Sequence, residues 1–220
     1  MRYDYEEEKK KYYKKNLDEV SKSTSKPWLK LKVKNFAEKF NFKEPKVISQ
    51  IKKNKFVAAF FIKDPGRQNF YQTQALKFLN SMDSVQEARL LSSSGKNALF
   101  VINGKLGKKK EFKKSELIGN KSIDFKIQLK DGKIIYASHK YTKDSGGSQD
   151  NQKNDLINFI KNAKKYTGKD YIFAAIADGN FYKNKNISDQ IEDVAEKRVL
   201  TCSVDDFEEK IKDWIKKNGK

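Results

Sequence analysis

The chain has 220 residues, one cysteine and one histidine. That length suits one domain with a substantial core, and the lone Cys202 and lone His139 exclude an intrachain disulfide framework, a cysteine-rich zinc site and a His-based metal cluster. The net charge of +19, with 35% charged residues, calls for a polyanionic partner, nucleic acid ahead of an anionic membrane.

No run of 18 apolar residues exists, so no membrane span is expected. The N-terminus shows no apolar core of a signal peptide, and the single cysteine suits a reducing compartment. A cytoplasmic protein is the expectation. In chain order, Glu6–Lys10 and Glu7–Lys11 pair at i,i+4 and predict a helix from about Tyr3 to Val20. Residues 21–27, SKSTSKP, read as a linker. Two helices come next, around Asn35–Phe40 and Val47–Lys53, separated by Pro45. The apolar run Phe56–Ile62 is too short to type. After the Asp64-Pro65-Gly66 break, Gln68–Met82 reads as an amphipathic helix with Phe70, Ala75, Leu76, Phe78 and Leu79 inward. Ala88–Leu91 and Ala98–Ile102 read as strands joined by Ser92–Gly95. Lys105–Lys114 is then a lysine-rich loop around Gly107, and Lys108, Lys109, Lys110 and Lys113 are candidate phosphate contacts.

Ser122–Asn154 organises the rest. Ile123, Phe125, Ile127 and Leu129 alternate with polar residues, the period of a half-buried strand. Asp131-Gly132 is a hairpin signal, and Lys133–Tyr141 returns. A two-residue turn places residue 124 opposite His139. A three-residue turn, with Gly132 left-handed beside a bulge, places Asp124 opposite Ser138, so that Asp124, Ser138 and Lys140 share a face. The second turn is preferred, because it puts Ile123, Phe125, Ile127 and Leu129 on the face of Ile135 and Ala137. Beyond the hairpin, Gly146-Gly147 gives a turn and Ser148 or Asp150 caps a helix whose inward stripe is Leu156, Phe159, Ile160 and Ala163. Gln152 extends that stripe toward the hairpin, either bonding the loop or contacting phosphate, base or water. Tyr171–Ala177 reads as a strand covered on both faces. A short helix, Ser188–Lys197, a strand, Arg198–Cys202, and an amphipathic helix, Ser203–Lys217, complete an α/β fold with a mixed sheet flanked by helices.

An Asp on one strand beside an x-x-Lys on its hairpin partner resembles the PD-(D/E)xK nuclease core. Ile123-Asp124 matches the first half of the motif and Ser138-His139-Lys140 the second. The segment KYTKDSGGSQDNQKNDLINFI is similar to the stretch after the catalytic lysine in some type II restriction endonucleases. The resemblance covers about residues 65–202. The expected organisation is a charged helical arm over 1–26, read from its own charge pattern and the linker after it, and one nuclease-like domain over 27–220. It implies a Mg2+-dependent, sequence-specific endonuclease on double-stranded DNA, acting as a homodimer. Asp124, Ser138 and Lys140 are then catalytic, and Asp124 with the His139 backbone carbonyl ligates metal. Lys108, Lys109, Lys110, Lys113, Gln149 and Gln152 contact DNA. Family members normally place Asp or Glu, less often Gln or Asn, where this chain has Ser138, and some carry a helical glutamate where it has Gln72 or Gln74. Asp144, Asp150 and Glu116 are the acids that stand to supply the missing carboxylate. A non-catalytic DNA-binding protein on the same fold is the alternative.

Overall fold

The computed structural model describes residues 3–65, 69–143 and 149–218. The chain divides into two compact units. The first, Asp4–Phe70, is all-helical: α1 (Tyr5–Lys22), α2 (Pro27–Phe40), α3 (Glu44–Lys53) and α4 (Lys55–Ala59). Asp4 caps α1 by accepting from the Glu6 and Glu7 amides, and prolines stand in the first turns of α2 and α3, where no amide is needed. Val20 of α1, Leu29 and Val33 of α2, Ile51 of α3, Ala58 of α4 and Phe61 form one buried cluster. The compositional boundary at 26/27 therefore falls inside this unit. Val20 is an apolar residue of a common core rather than part of a solvated arm.

The second unit holds the described residues from Tyr71 onward, with Tyr3. After α5 (Phe70–Leu79) come β1 (Val85–Leu90), β2 (Leu99–Ile102), β3 (Lys105–Lys108), α6 (Lys114–Leu117), β4 (Phe125–Leu129) and β5 (Ile134–Tyr141). The chain continues with α7 (Gln149–Ala163), β6 (Tyr171–Asp178), α8 (Lys185–Ala195), β7 (Leu200–Cys202) and α9 (Phe207–Asn218). A five-stranded sheet runs β1-β4-β5-β6-β7. Its β1/β4 and β4/β5 pairs are antiparallel, and β5/β6 and β6/β7 are parallel. The fold is mixed α/β, as its sequence pattern implies. No helix among the described residues is long and apolar enough to cross a membrane.

β4 and β5 turn through residues 130–132. The Gly132 amide donates to the Leu129 carbonyl, the Leu129 amide donates to the Lys133 carbonyl, and Gly132 has φ 86°. This is the three-residue turn, and it sets the register Phe125↔Ala137, Ile127↔Ile135. Asp131 Oδ1 accepts from the Lys133 amide and Oδ2 from its ammonium, which holds the carboxyl below the usual carboxylate range. Tyr136 packs in a cluster with Leu156, Phe159 and Ile160 of α7, so even-numbered β5 residues face α7. Each of those side chains contributes roughly 1.5–3 kcal/mol by leaving water.

Two expectations are corrected. Ile123 belongs to the cluster around Tyr136, while Phe125 lies against the His139 ring at 5.6 Å. The strict alternation breaks because the Asp124 amide donates to Ala137, one residue off the ladder register. The lysine-rich segment is not a loop either. Lys105–Lys108 is β3, paired with β2 in a separate two-stranded sheet, and β2 does not pair with β1. Asn103 and Gly104, both at positive φ, make the two-residue turn.

Candidate active site

Asp124 stands one residue beyond the last regular β4/β5 pair. Its Oδ2 accepts from the His139 amide at 2.8 Å and from Ser138 Oγ at 3.3 Å, and its Oδ1 accepts from Gln72 Nε2 at 2.7 Å. The carboxylate thus occupies the ladder position that a strand carbonyl would fill. Gln72 lies on α5 in the first helix of this unit, where some nucleases of the resembling family carry a glutamate. Gln74 does not take part, since its Oε1 accepts from the Tyr3 hydroxyl and lies 3.4 Å from Lys77 Nζ.

Ser138 is buried and Lys140, two residues on, is half-buried on the same α7-facing side. Lys140 Nζ lies 3.7 Å from Asp155 Oδ2 of α7, with the two side chains only 17% and 26% exposed. Asp155 is the member of this cluster that the sequence pattern did not single out. It lies three residues after Gln152 on the helix face already singled out, and that spacing is the signal that reaches it. Gln152 Oε1 accepts from Thr142 Oγ1 at 3.1 Å, which makes its role the loop bond. The buried Tyr182 hydroxyl faces the same corner. Burial, with Asp155 nearby, pushes its pKa up to about 12, although Thr142 acts in the opposite direction.

The site lies at the carboxyl end of β5, where β5 crosses through α7 to its parallel neighbour β6. Open α/β sheets bind ligands in this crevice. Gly179, just after β6, packs on Thr142 at φ 101°, and a Cβ there would stand 2.0 Å from the Thr142 carbonyl oxygen. On the opposite face of β5, His139 Nε2 meets Asp178 Oδ2 at 2.9 Å, and Asp178 Oδ1 accepts from the Val204 amide. The His139 imidazole is therefore a core group that ties β5 to the segment after β7. The Tyr141 ring stacks on Tyr71 of α5 at 3.9 Å between centroids.

Lys108, Lys109, Lys110 and Lys113 are all exposed. Lys108 pairs across the hairpin with Leu99, whose carbonyl accepts from the Ile123 amide, so this end of the hairpin is fixed beside Asp124. Gln149 begins α7, and its side chain is outside the described residues, as is Asp144. Glu116 accepts from the Lys113 amide at the start of α6, and exposed Asp150 lies 3.7 Å from Lys153 Nζ, whereas the acid paired with Lys140 is Asp155.

The nuclease resemblance implies Mg2+. Among the described residues no group of three or more His, Cys, Asp or Glu side chains gathers to hold a metal. Magnesium does not require one, because it keeps several waters and takes one or two carboxylates. The donors here are hard oxygens: the Asp124 and Asp155 carboxylates, the Ser138 hydroxyl and the His139 carbonyl. That carbonyl points toward β4, with its own amide, and the Ile123 amide that would meet it bonds Leu99 instead. The donor chemistry fits magnesium and not zinc. No family model, curated protein or solved structure matches the chain, so the reading of this site rests on its own geometry.

Proposed function

We propose that the protein is a magnesium-dependent endonuclease that hydrolyses double-stranded DNA, of the type II restriction kind, on a restriction-endonuclease-like core. The observation that carries this reading is an acid on each end of the Ser138-His139-Lys140 segment. Asp124 accepts from Ser138 Oγ and the His139 amide, and Asp155 Oδ2 lies 3.7 Å from the Lys140 ammonium. The order α5, β4–β5 hairpin, α7, β6, α8, β7 supports the same reading, as does the net charge of +19.

Asp124, the His139 carbonyl and Asp155 would hold the metal. When bound, magnesium neutralises phosphate charge and lowers the pKa of a coordinated water. Lys140 donates to the non-bridging phosphate oxygens as charge develops on them. Asp155 keeps that ammonium aimed into the crevice and supplies the carboxylate that Ser138 cannot. Ser138 and Gln72, both neutral, orient the Asp124 carboxylate through their hydrogen bonds. In the reaction a water oxygen bonds to phosphorus and the bond from phosphorus to the leaving sugar oxygen breaks; the attacking water's proton passes to solvent through the carboxylates, and the leaving oxygen takes a proton from solvent water. Exposed Lys108–Lys110 hold neighbouring phosphates, and a homodimer would present two such sites to a near-palindromic sequence.

One observation favours a second reading, a DNA-binding protein without cleavage. Both Asp124 oxygens already accept hydrogen bonds, and two of its three donors come from the neutral side chains of Gln72 and Ser138. Digestion of supercoiled plasmid with magnesium separates the two. Wild type nicks or linearises the plasmid, while Asp124→Asn and Lys140→Ala do not. Asn is chosen at 124 because it keeps an acceptor for the His139 amide. Full cleavage by both variants refutes the site, and binding without cleavage by wild type selects the second reading.

A further inference from the structure

The helical unit carries a surface that the catalytic reading leaves unused. Phe56 and Phe60 of this unit are 72% and 64% exposed, and their rings meet edge to face at 5.2 Å. Phe40 and Phe42 are each 51% exposed and gather around Phe36 at 4.7 and 6.2 Å. A lysine adjoins three of the four exposed rings in sequence: Lys39 before Phe40, Lys43 after Phe42 and Lys55 before Phe56. Residues 27–63 hold ten lysines against Glu38 and Glu44, a formal charge of +8. On the same unit a cleft of about 460 Å³ is lined by Lys22, Lys30 and Lys52 against the single acid Glu44, with Ile48 and the hydroxyls of Ser23, Thr24 and Ser25. Lys52 lies four residues before Phe56. Between them Asn54 Oδ1 accepts from the Phe56 amide and sets the direction of α4.

We infer that this unit is an accessory binding site for unpaired nucleic acid, with phosphates in the Lys22/Lys30/Lys52 cleft and bases on the exposed phenylalanine rings. Interleaved cations and aromatic faces offer each nucleotide a partner for its phosphate and one for its base. Phenylalanine has no hydrogen-bonding group, so it reads a π-face and not a paired base edge. A second copy of the chain is disfavoured on this face, since it would set +8 against +8. A lipid surface is disfavoured because the rings stand on short helix ends with lysines between them, not along one continuous apolar stripe. The inference stands apart from the catalytic reading and survives if the site at Lys140 is inert.

The test uses the full chain with magnesium chelated, and fluorescence anisotropy of a labelled 20-nucleotide oligo-dT. Wild type binds it, and a duplex of equal length is the reference ligand, whose binding the variants below leave unchanged. Phe56→Ser with Phe60→Ser weakens oligo-dT binding by roughly tenfold or more, with helical content unchanged by circular dichroism. Phe56→Leu with Phe60→Leu keeps the apolar volume but loses the stacking face, and weakens binding similarly. Neutralising Lys22, Lys30 and Lys52 to Gln lowers the slope of log affinity against log salt by about 2, near 0.7 for each phosphate no longer neutralised. The inference is overturned if the Ser or Leu pairs bind oligo-dT within twofold of wild type. It is equally overturned if the Ser pair instead loses adhesion to vesicles of phosphatidylcholine and phosphatidylglycerol, or loses self-association on gel filtration, while oligo-dT binding holds.

Discussion

Asp155→Asn isolates the acid that geometry brings to Lys140. At 3.7 Å the bare Coulomb attraction is about 4–5 kcal/mol at an effective dielectric of 20. Both side chains keep some exposure, 17% and 26%, so desolvation and screening leave a net coupling of about 1 kcal/mol. Asparagine is nearly isosteric and keeps a polar oxygen, so stability should fall by no more than that amount. Activity should fall further, by about 100-fold or more, because the ammonium loses its orientation and the crevice loses a charged oxygen. Lys140→Ala, Asp155→Asn and the double variant complete a cycle. Urea midpoints should give a coupling near 1 kcal/mol, and plasmid cleavage by the double variant should be no slower than by Lys140→Ala alone, since the two groups act as one device. Cleavage by Asp155→Asn at the wild-type rate, with Lys140→Ala inactive, would refute the pairing and return the missing carboxylate to another residue.

Two further predictions address the frame of the site. The Tyr182 pKa rises from 10 to about 12 on folding. The folded state therefore binds more protons than the unfolded state between those values, and stability is full below pH 10 and lost as pH rises toward 12, by about 3 kcal/mol in all. Tyr182→Phe should remove that share of alkaline loss, and because the buried hydroxyl forms no well-shaped hydrogen bond among the described residues, it should be neutral or stabilising at pH 7. Parallel denaturation curves of the two proteins at pH 8 and pH 11 check this, and equal losses in both would contradict it. Gly179→Ala should cost more than about 3 kcal/mol, since φ 101° with ψ 169° suits only glycine and the added Cβ overlaps the Thr142 carbonyl. A urea midpoint matching wild type would show that the Gly179–Thr142 contact yields.

The hairpin was legible because local chemistry decides it. Asp131-Gly132 and the alternation on either side select one turn, and the turn sets the register that brings Asp124 to Ser138. β6 was legible from its unbroken apolar run, and the inward stripe of α7 from its spacing. Asp155 was hidden because nothing local separates it from the chain's other acids. Its role comes from the packing of α7 on one face of β5, a long-range fact. Ile123 was assigned to the wrong face because periodicity cannot show where a partner strand leaves the ladder. The β2–β3 hairpin carried a signal that the lysines masked: Asn103-Gly104 is as strong a turn marker as Asp131-Gly132.

Helix α7 joins the Lys140 cluster to the lysine-bearing hairpin. Near its start, Gln152 and Asp155 hold the Thr142 loop and Lys140. Near its end, Asn162 accepts from the Asn103 and Gly104 amides at the tip of the lysine-bearing hairpin, whose other end is tied to Ile123. Ten residues of helix separate Gln152 from Asn162, about 15 Å, the reach of two or three successive phosphates. The helix therefore works as a fixed gauge. It holds the Thr142 corner and the Asn103–Gly104 turn at one spacing, so on the nuclease reading no freedom would be lost in bringing Lys140 and the hairpin into step.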